Sequence, residues 1–432
     1  MPRPVIDPMP VVATGTGLPW DVPTDDPVVA LAHARASCGD TFVVDSGPDR
    51  YIFTFSPVGV ASFYGLAESS ASKGVADWRM LRRKIPDEVF DGRRTVPHEL
   101  FGREERIAQL AGLQAALAAT VSELGDRGGV DVFALSRRLG HRVGLASWGG
   151  PGTADGADFD RLVAAFDSLD GAEAFVHPEA MAAVAESGKA VERAALSEVV
   201  EVVGAAAERP CVSDEHPLFI QIRDRWADEE PATRRVGIAY DVALVHIASM
   251  SNLFAALGWA LIDLLAHPAE RDRVVSGDVA RTEQCVLESI RLAQRSIMAR
   301  YVLEAVDLNV GDAVLTVSPG VTIATLLPLT NTTAGPGLDS WNPDRWHRRR
   351  LVDAQSWPAA ELVTAFGHGK HKCPAQPYSL AALTAILTCL LTTFDFDLDP
   401  ADIPGPEPAQ IGGVARPAGP CKVTYRRAAN VG

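Results

Sequence analysis

Residues 232–265 run through a long stretch with few helix breakers, closed by His267-Pro268. Apolar residues recur along it at helical spacing, and its length exceeds that of an ordinary globular helix. Such a helix has to cross a whole domain, so the sequence predicts a large body built around one central rod. Residues 68–145 and 158–207 carry further helical patterns, parted by Gly149-Gly150-Pro151-Gly152, and residues 278–295 form another helix candidate. β-Branched and aromatic runs at 41–44 and 51–55 flank Ser46-Gly47-Pro48-Asp49 and read as a hairpin. Strand-like pieces follow at 313–317 and 321–326, then a coil over 333–346 and an apolar helical run over 378–391. The expected fold class is mainly α with small β-sheets (α+β). No Pro/Gly/Ser-rich linker divides residues 1–432, so a single large domain is expected despite the length.

A hydrophobic content of 47% is ample for a sizeable core, and a net charge of −15 argues against a nucleic-acid partner. The six cysteines are scattered without a CxxC pair, which suits a reducing compartment. Residues 1–23 are proline-rich and hold no apolar run of signal or membrane-span length, so a soluble, cytoplasmic protein is expected. Asn331-Thr332-Thr333 fits the glycosylation pattern, which has no meaning in that compartment.

The chemistry concentrates in Phe366-Gly367-His368-Gly369-Lys370-His371-Lys372-Cys373. A thiol stands at the end of a glycine-punctuated loop, with basic residues before it and an apolar helix behind it. Two glycines permit tight backbone close to a bulky partner. Lys370, His371, Lys372 and the helix N-terminus are all expected to favour the thiolate, the form that serves as an axial ligand of haem iron. Other readings of the loop are a buried free thiol, a zinc site from His368, His371 and Cys373, and a phosphate loop at Gly367-x-Gly369.

Three more segments bear on the choice: Trp78-Arg79-Met80-Leu81-Arg82, Glu288-Ser289-Ile290-Arg291, and Pro343-Asp344-Arg345-Trp346 preceded by Trp341. With the cysteine loop they resemble, in order and spacing, the W-x-x-x-R, ExxR, P-x-R-aromatic and cysteine motifs of the cytochromes P450, the haem-thiolate oxygenases. The resemblance covers almost the whole chain. It implies the P450 fold, haem b as cofactor and Cys373 as the iron ligand. Glu288, Arg291 and Arg345 then form a buried structural network, while Trp78, Arg82, Arg300, His371 and Phe366 contact the haem, the first four at its propionates.

The departures from the family pattern are informative. Ala375 stands where most members carry glycine, a modest crowding, and Gln294 or Arg295 replaces a usual proline. In the central helix the acid-threonine pair that relays protons is replaced by Ser251-Asn252. Asparagine there resembles the branch containing cholesterol 7α-hydroxylase and prostacyclin synthase, which holds both a hydroxylase and an isomerase. Neither serine nor asparagine titrates near neutrality, so each can hold a water but not act as an acid. Asn252 is otherwise read as a structural residue bonded to a carbonyl at a kink.

The resemblance thus implies a soluble monooxygenase that oxidises an apolar small molecule with dioxygen. Its electrons would come from a ferredoxin and ferredoxin reductase, docking near Arg348 to Arg350 and Lys370 to Lys372. The alternatives are a haem-thiolate isomerase, dehydratase or peroxide-dependent enzyme without redox partners, and a non-catalytic haem- or ligand-binding protein. No membrane partner is expected. Selectivity is expected in the loop after Arg82, around residues 158–230, and near Val302 or residues 410–416.

Overall fold

A computed structural model describes residues 4–90, 100, 110, 112–171, 173–211, 215–352 and 354–429. Part of the loop after Arg82 expected to set selectivity, residues 91–99 and 101–109, lies outside the described residues. The helices begin where the sequence supplies caps. Helix α1 (Pro27–Cys38) starts at Asp26, whose carboxylate accepts from the amides of Val28 and Val29, with Pro27 in the first turn. Helix α2 (Pro57–Gly65) starts at Ser56, whose Oγ accepts from Gly59 N, and α3 (Lys73–Leu81) at Ser72, which accepts from Val75 N. The sequence reading saw the hairpin before α2 but not α2 itself, a short helix without a strong apolar stripe.

Helix α4 (Leu113–Leu124) packs on α5 (Val132–Trp148), and α5, α6 (Gly156–Asp170) and α7 (Ala190–Glu208) pack against the central helix α8 (Pro231–Ala266). The last agrees closely with the expected 232–265. It is long and apolar enough to cross a membrane by length and composition, yet most of it lies packed inside the protein. Its crossing with α5 is close because each helix offers a glycine to an aromatic ring of the other. A Cβ on Gly140 would lie 2.3 Å from Phe254, and one on Gly258 would lie 2.4 Å from Phe133. The same helices are joined by a buried polar chain in which His141 Nδ1 lies 2.8 Å from His246 Nε2, and His141 Nε2 lies 2.9 Å from Asp167 of α6. Burial holds His246 neutral, well below the usual histidine range.

Strands β2 (Thr41–Ser46), β3 (Asp49–Thr54), β4 (Ala71–Ser72), β6 (Ile297–Val302) and β9 (Val321–Leu326) form one sheet in the order β2-β3-β9-β6-β4. The β3–β9 pairing is parallel and the others antiparallel. Two three-stranded sheets lie apart from it. Strand β1 (Ile6–Asp7) pairs with β8 (Val314–Val317) and β8 with β7 (Val306–Asn309), while β13 (Lys422–Arg427) lies between β5 (Arg127–Asp131) and β12 (Phe394–Leu398). Strand β5 falls inside the stretch read as mostly helical. Its Arg-Gly-Gly-Val-Asp sequence has little strand character, and only pairing with the distant β13 makes it a strand.

Helix α9 (Val279–Leu292) carries the ExxR residues, and α10 (Gln376–Thr393) follows the cysteine. The Asp263 carboxyl sits at the α8–α9 junction. Burial pushes it up to about 6, against the Ser289 hydroxyl and His267, while the Glu288 charge adds to the rise. Because its folded pKa lies above the ordinary value of 3.8, the folded state binds this proton more tightly. Stability should therefore fall as pH rises from about 4 through about 6. Asp263→Asn is expected to flatten that slope and to raise stability above it by roughly 2 kcal/mol, read from denaturant midpoints on both sides of the window.

Candidate active site

The deepest element is the carboxylate of Glu288, which is fully buried together with Arg291. Arg291 donates from Nε to Glu288 Oε2 at 2.8 Å and from Nη2 to Oε1 at 2.7 Å, the fork geometry that arginine and carboxylate favour. Three groups from the coil complete the shell: Arg345 Nε (3.2 Å), the Asn342 amide (3.1 Å) and Trp346 Nε1 (2.9 Å). Arg291 Nη1 donates to the carbonyls of Asn331 and Leu338, both at 2.7 Å. The structure thus brings Glu288, Arg291 and Arg345 together and wraps the coil around them.

From this network Asn331 carries the order forward. Its Nδ2 donates to the carbonyls of Arg291 and Thr364, and its Oδ1 accepts from Thr364 N at 2.8 Å. The residue that looked like a glycosylation acceptor is wholly buried and joins α9 to the lead-in of the cysteine loop. Gln294, at the place of the usual proline, donates from Nε2 to Ala365 O at 2.8 Å and holds the next residue of that lead-in. Sequence reasoning passed over Asn331 and gave Gln294 no role, since their partners are main-chain carbonyls far along the chain.

Within the loop, Gly367 and Gly369 adopt φ of 77° and 54°, and a Cβ on Gly367 would lie 2.7 Å from His371 O. Glycine is required at the first of these. The loop closes with Cys373 N donating to Phe366 O at 2.8 Å, and both residues are half-buried. Ala375 takes φ of −80° at the start of α10, a conformation that needs no glycine.

The electrostatics differ from the sequence expectation. Burial pushes the Cys373 thiol up; the amides of Ala375 and Gln376 at the helix N-terminus and the charge of Lys73 pull it down. His371 does not contribute a cation. Burial, with Arg300 and Lys73 adding to it, lowers this imidazole to about 4, so it is neutral. Lys372 points outward and is exposed.

His371 is the observation that most favours a missing anionic group. It is buried between Phe63 and Tyr64, and neither ring nitrogen has a hydrogen-bond partner. A buried, unpartnered imidazole is costly, and Lys73 and Arg300 bring positive charge to it. A haem propionate is the acceptor this corner suits, and Cys373 is the donor atom the iron would take. Among the described residues there is no cluster of histidine, cysteine and acidic side chains fit for a zinc ion.

The other expected propionate residues are placed differently. Arg300 is fully buried and spends its donors on the carbonyls of Ala71, Phe63 and Leu66 and on Glu68, so it buttresses the wall and supplies a field. Trp78 is exposed and Arg82 half-buried, the guanidinium stacked 4.4 Å over the indole and paired with Asp87 at 2.8 Å. Lys73, at the start of α3, pairs with Asp77 and adds its charge to the site. It belongs to no motif, and nothing in the sequence marks it.

Opposite the buried face of α8, Leu244, Ile247, Ala248, Ser251 and Asn252 form an accessible stripe within a helix that is otherwise mostly buried. Asn252 Oδ1 accepts from Val414 N at 2.8 Å, and Ser251 Oγ lies 3.5 Å from Arg416 Nη2. Asn252 therefore bonds an amide of a distant segment, not a carbonyl at a helix kink. The 410–416 segment is tied back to α9, with Arg295 N donating to Gly413 O and Ala415 N to Ala293 O.

Replacing Glu288 with alanine should leave Arg291 buried and unpaired, at a cost of about 3–5 kcal/mol. Apoprotein or aggregate is expected from Glu288→Ala, checked by the haem content of the soluble fraction. Cys373→Ala should lose the reduced, CO-bound absorption of a thiolate-ligated haem while keeping the fold, checked by difference spectroscopy and circular dichroism.

No family model matches the chain. A human 24-hydroxycholesterol 7-alpha-hydroxylase is 27% identical over 206 residues, a stretch that covers 42% of this chain and 42% of that protein. Cytochrome P450 2D20 of Mesocricetus auratus is 27% identical over 194 residues, covering 41% of this chain and 38% of the other. The chain thus matches less than half the length of these curated relatives. In three dimensions, CYP175A1 from Thermus thermophillus superposes with a TM-score of 0.66 at 18% identity, covering 93% of this chain and 95% of that one, a likeness of fold. The chain shares the fold of CYP175A1 and, over less than half its length, is similar to named cytochromes P450, which agrees with the resemblance carried by its ordered ExxR and cysteine motifs.

Proposed function

We propose that this protein is a monooxygenase that uses haem, dioxygen and two electrons to insert one oxygen atom into a small molecule of largely apolar character. The observation that carries the reading is the pairing of a half-buried Cys373 at a helix N-terminus with the unpartnered His371. When bound, the haem supplies oxygen activation under the push of a thiolate ligand. The residues of the chain do the rest. The Glu288 network and Asn331 hold the loop rigid, and Gly367 makes room for it. His371 offers a hydrogen bond to a propionate, and the apolar stripe of Leu244, Ile247 and Ala248 excludes water from the substrate side.

Proton handling on α8 must differ from that of members with a carboxylic acid, because Ser251 and Asn252 do not titrate near neutrality. Asn252 Oδ1 is held by Val414 N, which turns its Nδ2 donor toward the accessible side, where it positions water or a substrate oxygen.

An acidic ferredoxin fits as the electron donor. Strands β10 (Trp346–His347) and β11 (Arg350–Leu351) form a hairpin whose turn residues Arg348 and Arg349 take φ of 45° and 66°. Such angles are uncommon for arginine. The turn presents exposed Arg348 and Arg350, while Arg349 pairs with Glu283. Arg350 and Lys372 line a cleft of about 400 Å³ that reaches Phe366 and Gly367 of the cysteine loop. A short path from a cationic surface to the thiolate side supports docking there. Six free thiols and no disulfide support a cytoplasmic location.

Reconstitution with NADPH, ferredoxin reductase and ferredoxin is expected to give oxygenated product with reductant consumed in step. Asn252→Ala should still bind substrate, though more weakly, and divert most of the reductant to peroxide or water. Product formed at the same rate without reductant or dioxygen would overturn the assignment.

A further inference from the structure

Arg416 is a charged group beside the accessible face of the central helix. Its Nη2 lies 3.5 Å from Ser251 Oγ and 3.3 Å from both the carbonyl and Oδ1 of Asp170. All three contacts are long, and all share one nitrogen. Asp170 has a shorter partner in Arg137 Nη1, at 3.0 Å, and Arg137 also pairs with Asp167 at 2.6 Å. Among the described residues, Nε and Nη1 of Arg416 donate to nothing. Burial lowers Arg416 from its usual range, and Asp170 does not make up the loss against the nearby Arg137. Arg137, flanked by two aspartates, is raised despite its own burial.

Two further donors adjoin that cation. Asn252 is exposed on the stripe with its Oδ1 occupied by Val414 N, which leaves Nδ2 as the free end. The Ser251 hydroxyl lies 3.5 Å from Arg416 Nη2. Donors gathered beside a partly desolvated cation, on an otherwise apolar stripe, call for an acceptor that carries negative charge. A carboxylate takes the guanidinium fork in two parallel hydrogen bonds.

We propose that Arg416 and Asn252 form a subsite for the carboxylate of an amphipathic acid whose apolar body lies along Leu244, Ile247 and Ala248. The proposal rests on the reading of this face of α8 as the substrate side, and it narrows the substrate from an apolar molecule to one with an acidic end. Loss of the Arg416 side chain leaves its segment anchored, because the Arg416 amide donates to Gln410 Oε1 at 2.6 Å and its carbonyl accepts from Glu407 N at 2.7 Å.

The test is equilibrium binding to the haem-loaded protein by calorimetry, with laurate against methyl laurate and lithocholate against methyl lithocholate. At least one acid should bind about tenfold or more tightly than its ester. Arg416→Gln should abolish that preference with ester affinity unchanged, and Arg416→Lys should keep part of it. Equal affinity of acid and ester for both scaffolds, no binding of any of the four, or a preference that survives in Arg416→Gln each overturns the proposal. Calorimetry needs neither reductant nor dioxygen. An acid preference without reductant-dependent product would therefore remove the oxygenase assignment and leave the subsite standing, and coupled turnover without the preference would do the reverse.

Discussion

The carboxylate of Glu288 is the point from which the site is held. It is wholly enclosed, and the groups around it come from α9 and from residues 342–346 of the coil. A buried ion pair gives little net stability against an apolar alternative, because desolvation cancels most of the attraction. Its value here is positional. A buried charge tolerates no arrangement of the coil that leaves it unpaired, so a segment without regular structure acquires one conformation. Asn331 extends the constraint to Thr364, Gln294 extends it to Ala365, and the cysteine loop begins at the next residue.

The thiol at the end of that loop is governed by a balance that the local sequence misrepresents. Neighbouring basic residues suggest a cationic cradle, yet Lys372 faces solvent and His371 is held neutral by its own burial. What favours the anion is the helix N-terminus at Ala375 and Gln376, together with Lys73 from far along the chain. The two influences differ in kind. Amide dipoles at a helix start are fixed by the backbone and cannot be titrated away, whereas the lysine depends on where α3 docks.

The face across from the loop shows how a departure from the common pattern is absorbed. Without an acid at position 251, Asn252 is a strut to Val414, and charge is supplied beside Ser251 by α6 and by the 410–416 segment. Asp170, Arg137 and Arg416 put ionic chemistry beside Ser251 without a titratable side chain at position 251 or 252. Two segments remote in sequence thereby take over the polar character of the cavity wall.

Much of the framework is legible in the amino-acid order alone. The central helix, the hairpin at Gly47, the coil before the cysteine and the i,i+3 spacing of Glu288 and Arg291 follow from periodicity, capping and short-range geometry, which act within a few residues. What the order does not contain is anything settled by contact between distant segments. Strand β5 exists because β13 lies beside it, and Asn331 is structural because Thr364 comes to meet it. Trp78 and Arg82 match a motif and stack on each other, while the charge of unremarked Lys73 acts on the cysteine and on His371. Arg416 acquires its unmet charge only where α5, α6 and α8 converge. Local preference fixes each element within its own few residues, whereas burial and pairing, which decide what each charged side chain does, are properties of the assembled fold.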